Sequence, residues 1–128
     1  MRGDALPEPA GTVLLIDDDN DLRGVLAGAL ATLGYAVEEA SDGASALRAM
    51  DTLRPDVIVV DFAMPGLNGA EVAKKARERW PGLPVVLASG YADTAAIEAA
   101  IGTDAKLLRK PFRVDELLEA VGEAARSS

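Results

Sequence analysis

The chain contains no histidine and no cysteine. Without histidine there is no imidazole general base, no Ser-His pair, no histidine-ligated metal and no phosphohistidine on this chain. Without cysteine there is neither a disulfide framework nor a thiolate metal site, and a reducing compartment is compatible. Positive charge is scarce as well: 13 Lys and Arg stand against 21 Asp and Glu, a formal net charge of −8. That balance argues against a nucleic-acid surface, which needs a basic face. No apolar run nears the ~20 residues that cross a bilayer, and the N-terminus has no signal-like stretch. The expectation is a cytoplasmic protein with no nucleic-acid and no membrane partner.

What is present reads as one globular domain. At 128 residues, with 49% hydrophobic and 27% charged residues, the chain is long enough to bury a core. Residues 1–11, with Pro7, Pro9 and two glycines, are expected to form a flexible arm or linker. Residues 12–126 are expected to form the domain. Its centre is Val57-Ile58-Val59-Val60-Asp61, four β-branched residues running into an aspartate, followed by the Pro/Gly-rich loop Phe62 to Gly69. An unbroken apolar run predicts a strand covered on both faces, as in a parallel sheet between helices.

The same grammar repeats along the chain. Thr12 to Ile16 predicts a buried strand ending in Asp17-Asp18-Asp19. Asp19 or Asn20 can cap the helix that follows, in which Leu22, Val25, Leu26, Ala29, Leu30 and Leu33 recur at helical spacing before Gly34. Tyr35 to Ala40 predicts a more polar edge strand. A second helix opens at Ser41-Asp42-Gly43 and carries Ala44, Leu47 and Met50 inward. A third helix is expected from Gly69 to Arg79, and Trp80 is expected to pack at its end. Val85 to Ser89 predicts a fourth strand, Thr94 to Ile101 a short helix, and Lys106 to Arg109 a fifth strand. The last helix places Val114, Leu117, Leu118 and Val121 on one face. Strand-helix alternation five times over specifies a doubly wound α/β fold, a parallel sheet with helices on both faces.

In such sheets ligands bind beyond the carboxyl ends of the strands. Those ends carry Asp17 and Asp18, Asp61, Ser89 and Lys110. Each alone has a plain reading, as a cap, a turn or a solvated lysine; together they predict one site. Carboxylates gathered there repel, by about 4 kcal/mol for two charges ~4 Å apart at an effective dielectric of about 20, unless a cation joins them. Oxygen-only ligands specify a hard ion, most plausibly Mg²⁺, with Mn²⁺ as a substitute. A hydrated cation beside an ammonium and a hydroxyl is a receptacle for a phosphoryl group, and the remaining nucleophile is a carboxylate.

Four motifs carry a family resemblance: Leu15-Ile16-Asp17-Asp18-Asp19, Val60-Asp61-Phe62-Ala63-Met64-Pro65-Gly66-Leu67-Asn68-Gly69, Ala88-Ser89-Gly90 and Arg109-Lys110-Pro111-Phe112. From Thr12 to about Ala125 the chain resembles the receiver domain of two-component response regulators. The resemblance implies a flavodoxin-like sheet of order 2-1-3-4-5. It implies that Asp61 is the phosphoacceptor, becoming 4-aspartylphosphate, and that Asp18 and Asp61 ligate Mg²⁺ directly. Asp17 would act through metal-bound water, and the carbonyl of Ala63 would be a further ligand. Ser89 and Lys110 would contact the phosphoryl group, with the bond before Pro111 cis. The donor would be a sensor histidine kinase or a histidine phosphotransfer protein. The domain would be a signalling switch with self-catalysed phosphotransfer and autodephosphorylation, not a turnover enzyme, and a monomer or weak dimer. The fourth and last helices would form the output surface.

The chain departs from the family at two places. The switch aromatic expected three residues before the lysine is Leu107, so the switch candidates are Ser89, Leu107 and, as a substitute ring, Tyr91. Ala63 replaces the polar residue often found two positions after the acceptor. With Ala63 offering no hydrogen bond to water and Tyr91 bulky nearby, a long-lived phosphorylated form is expected. Two other readings stay open. Asp17-x-Asp19 resembles the start of a haloacid-dehalogenase-type phosphatase, although no downstream acidic pair completes its metal site. A receiver-like scaffold that binds partners without phosphorylation is the other. With the sequence ending at Ser128, the expectation is a stand-alone regulator or a receiver from a longer protein; the loop motifs also resemble receivers of hybrid histidine kinases.

Overall fold

The computed structural model describes residues 11–102 and 104–126. The expected arm therefore lies outside the described residues, except Gly11, which opens the first strand. In chain order the elements are β1 (Gly11–Ile16), α1 (Asn20–Thr32), β2 (Tyr35–Ala40), α2 (Gly43–Ala49), β3 (Val57–Asp61), α3 (Gly69–Arg79), β4 (Val85–Ser89), α4 (Thr94–Ile101), β5 (Lys106–Arg109) and α5 (Val114–Arg126). A single 3-10 turn, Tyr91–Asp93, leads into α4. All strand pairs are parallel, in the order β2-β1-β3-β4-β5.

Alternating side chains on the central strands feed two separate cores, which is why the strands read as unbroken apolar runs. Leu14, Ile16, Ile58, Val60, Val85 and Leu87 face α2, α3 and α4 and pack with Met50, Val72, Ala73, Ala76 and Ile97. Val13, Leu15, Val57, Val59, Val86 and Leu108 face the other way, against Leu26 and Leu30 of α1 and Leu117 and Val121 of α5. Edge strand β2 leaves Ala36, Glu38 and Glu39 exposed, as its composition predicts.

Helix starts follow their caps. The Asp19 carboxylate accepts the Leu22 N–H and starts α1, and the Asp42 carboxylate accepts the Ser45 N–H and starts α2. Asn68 and Glu71 form a reciprocal capping box at α3, satisfying two N–H groups that the first helical turn leaves over. Helix facing departs from the expectation at four positions. Val25 and Leu33 of the α1 segment are 60% and 52% exposed, and the helix buries Leu26, Ala27 and Leu30 instead. Leu33 is the residue after the helix, its N–H closing onto the last turn, so helical spacing no longer aims it inward. In α2, Gly43 and Ala46 face the core and Ala44 faces out. The small pair lets α2 approach closely: a Cβ on Gly43 would lie 2.8 Å from Val72 and 2.9 Å from Leu67. In α5, Ala120 and Ala124 complete the buried stripe and Val114, at the helix start, is exposed. Trp80 is half-buried and packs against the first core. Among the described residues no helix is long and apolar enough to cross a membrane.

Candidate functional site

Parallel strands deliver their last residues to one edge of the sheet. Asp17 and Asp18 follow β1, Asp61 ends β3, Ser89 ends β4 and Lys110 follows β5. One carboxylate oxygen from each of Asp17, Asp18 and Asp61 lies within 4.8 Å of the others. Asp17 and Asp61 are buried and Asp18 is exposed at the rim. The acid expected at the floor, Asp61, is therefore buried beside a more exposed neighbour, Asp18.

Lys110 is aimed by its backbone. Its N–H donates to the Ser89 carbonyl at 2.9 Å, and the Lys110–Pro111 peptide bond is cis. Its Nζ lies 2.6 Å from Asp61 Oδ1. The approach is close but off the angles of a hydrogen bond, so Oδ1 is a buried oxygen with an ionic neighbour and no donor aligned on it. The buried Ser89 Oγ likewise has no hydrogen-bond partner. A buried polar atom left this way costs free energy unless a ligand or water completes it. Two such oxygens, on neighbouring strands at the same edge, mark where something binds.

Burial raises the carboxyl of Asp17 above the ordinary aspartate value. Its bond from the Asp19 N–H opposes that, the charges of Asp61 and Asp18 add to it, and Lys110 acts the other way. Three carboxylates against one ammonium leave a formal excess of two negative charges, which a divalent cation balances. The donors are all oxygen, which suits a hard ion such as Mg²⁺ and excludes a soft-metal site. The residues present thus fit the cation that the sequence implies. Asp19 is not among them; its carboxylate is engaged as the α1 cap.

The loop after Asp61 holds the remaining candidate. Phe62 N–H bonds to the Ala88 carbonyl and Gly69 N–H returns to the Phe62 carbonyl, both at 2.9 Å, closing the loop over the strand end. Ala63 lies exposed within it. Gly69 is required by proximity, because a Cβ there would stand 2.5 Å from the Asp61 carbonyl oxygen. Leu107 is half-buried on the α2–α4 side of the sheet, paired in register with Leu87. The backbone of Tyr91 is in the turn after Ser89, and its side chain lies outside the described residues.

Two residues escaped the sequence reading. Arg23 of α1 donates through Nη1 to the Asp17 carbonyl at 2.6 Å and through Nε to Glu39 at 3.0 Å. Arg109, in register with Ser89, donates through Nη1 to the Gly90 carbonyl at 3.1 Å. Arg23 belongs to no motif, and Arg109 opens the motif Arg109-Lys110-Pro111-Phe112 without a role read for it. An arginine four residues past a capping aspartate was the only local signal for the first, and the second needs the strand pairing to be known.

Comparison with known proteins agrees with the geometry. The family model of the response regulator receiver domain matches residues 13–122. Over 115 residues, 89% of this chain, the sequence is 36% identical to the DNA-binding transcriptional regulator NtrC of Escherichia coli K12, covering 24% of that protein. It is 38% identical to response regulator MprA of Mycobacterium leprae over 112 residues, 85% of this chain and 48% of that protein. The chain thus spans about a quarter to a half of these relatives. The receiver domain of NtrX from Brucella abortus superposes with a TM-score of 0.81 at 31% identity, covering 91% of this chain and 99% of that one. Chemotaxis protein CheY4 of Vibrio cholerae superposes with a TM-score of 0.80 at 29% identity, covering 92% and 99%.

Proposed function

The chain belongs to the response regulator receiver domain family, and we propose that Asp61 accepts a phosphoryl group from a phosphohistidine donor, switching a partner-binding surface in a two-component phosphorelay. Receiver domains of response regulators are signalling switches, and histidine kinases phosphorylate them. The observation that carries the reading for this chain is the pair of buried oxygens without hydrogen-bond donors, Asp61 Oδ1 and Ser89 Oγ, beside Lys110 and the acid cluster.

The chemistry follows from these groups. An Asp61 carboxylate oxygen attacks phosphorus in line; a P–O bond forms and the P–N bond of the donor breaks. The departing imidazole nitrogen keeps the electron pair and takes up a proton, and the product is an acyl phosphate. Lys110, already beside the acceptor oxygen, follows the charge onto the phosphoryl oxygens, and the Ser89 hydroxyl donates to another. Asp17, Asp18, Asp61 and the Ala63 carbonyl would hold Mg²⁺, or Mn²⁺ by the same oxygen preference, and the cation would supply charge neutralisation for the transfer. Ala63 has no side-chain hydrogen bond with which to orient a water attacking the acyl phosphate, which fits slow self-catalysed reversal of the state.

The donor is a sensor histidine kinase or a histidine phosphotransfer protein, and the setting is the cytoplasm. A net charge of −8 disfavours nucleic acid and anionic membrane as partners of this domain, and a monomer or weak dimer is proposed. The test is exposure to acetyl phosphate with Mg²⁺, read by intact mass. One phosphoryl group is expected on the wild type and none on Asp61→Asn. Labelling that persists in Asp61→Asn, or turnover of a phosphomonoester that Asp17→Asn abolishes and Asp61→Asn keeps, contradicts the reading.

A further inference from the structure

Asp17 is anchored at three points. Its N–H donates to the Ala40 carbonyl at 3.1 Å, its Oδ1 accepts the Asp19 N–H at 2.9 Å, and its carbonyl accepts Arg23 Nη1 at 2.6 Å. The other edge of the same guanidinium meets Glu39 Oε1 at 3.0 Å, so one planar group spans from the β1–α1 loop to β2. The Arg23 side chain is only 15% exposed. Its own N–H bonds to the Asp19 carbonyl at 2.9 Å, and the Asp19 carboxylate caps α1. The loop that presents Asp17 and Asp18 is thereby held between a helix start and the end of the edge strand.

An arginine in this place acts on a bound cation in two opposite ways. As a fixed positive charge near the acid cluster it repels a second cation. As a strut that sets the backbone of the acidic loop it pre-organises the carboxylates, as outer partners of metal ligands do. We propose that the second effect dominates: Arg23 is a positioning residue for the divalent-cation site, acting through the Asp17 carbonyl and braced by Glu39. This rests on the phosphoacceptor reading above.

The opposite signs make the proposal decidable. Arg23→Lys keeps the charge but not the planar fork that reaches two acceptors at once. Arg23→Met removes both. Mg²⁺ alone is titrated into each protein by calorimetry, and thermal unfolding without Mg²⁺ is recorded alongside. Both variants are expected to bind Mg²⁺ about tenfold more weakly than the wild type, the lower end of the range for outer partners of a metal ligand. Tighter binding by Arg23→Met shows that repulsion dominates and overturns the proposal. A lowered Tm with a wild-type dissociation constant leaves Arg23 a structural role only and also overturns it. Should Arg23→Met not fold, Arg23→Lys decides alone. A wild type that binds no Mg²⁺ fails at the level of the phosphoacceptor reading, and that outcome is separate from the other two.

Discussion

Lys110 Nζ stands 2.6 Å from Asp61 Oδ1 without the alignment of a hydrogen bond. The ammonium offsets the charge of the carboxylate while leaving the oxygen's lone pairs open, as the proposed acceptor role requires. The lysine side chain is 38% exposed and the aspartate 6%, so the pair is intermediate between a surface bridge and a buried one.

Lys110→Met is expected to destabilise the metal-free protein by about 1–3 kcal/mol, between the values for exposed and buried pairs. The three carboxylates then lack the ammonium beside them, so added Mg²⁺ is expected to restore more stability to this variant than to the wild type. Denaturant unfolding with and without Mg²⁺ checks it, and an equal gain in both proteins counts against it.

Asp17 gives a pH signature. Its carboxyl is raised in the folded state by burial, so between the unfolded value of 3.8 and the folded one the native protein holds more protons than the unfolded chain. Stability from this group is therefore full below 3.8 and lost as pH rises through the folded value. Asp42, Asp115 and Glu123 are lowered, by the Ser45 N–H, Arg113 and Lys106 respectively, and their contribution is lost in the opposite direction, as pH falls below the ordinary carboxylate range. Subtracting the pH profile of Asp17→Asn from that of the wild type isolates the first effect. The variant is expected to be the more stable at neutral pH without Mg²⁺, and the less able to bind it.

Gly69→Ala places a methyl group against the Asp61 carbonyl, which the intact packing keeps 2.5 Å from that position. Overpacking of this kind costs about 1–3 kcal/mol. Because the backbone that must yield carries Asp61, the proposed acceptor, phosphoryl uptake from acetyl phosphate is expected to slow along with the loss in Tm. A fall in Tm with unchanged uptake separates the two.

Arg109 braces the loop after Ser89 from the neighbouring strand. Arg109→Ala removes one donor from the Gly90 carbonyl, which also accepts the Asp93 N–H. Loss of one such bond, worth about 1 kcal/mol, is expected to speed hydrogen exchange at Asp93 roughly fivefold. Unchanged exchange there assigns the loop's order to other contacts.

The sheet, its strand limits and the convergence of Asp17, Asp18, Asp61, Ser89 and Lys110 were legible because each rests on short-range pattern: apolar runs, polar residues at their ends and parallel connection. The caps at Asp19 and Asp42 were legible for the same reason. Helix facing was less so. Val25 and Ala44 have the polarity of core residues, and only the position of the neighbouring helices decides that Ala27 and Ala46 take their places. The bracing roles of Arg23 and Arg109 were not legible, because each reaches a backbone carbonyl, which carries no sequence signal, and the Glu39 partner of Arg23 lies on another strand. Leu107 could be named as a departure, but its seat against the α2–α4 core depends on the strand register.

The most direct measurement is to present the wild type, with Mg²⁺, to a histidine phosphotransfer protein carrying labelled phosphohistidine, then reduce with borohydride and map the product by peptide mass. The account predicts label transfer and reduction of residue 61 alone, from aspartate to homoserine. Reduction at Asp17 or Asp18, or no transfer to a folded, Mg²⁺-binding protein from any phosphohistidine donor, contradicts it.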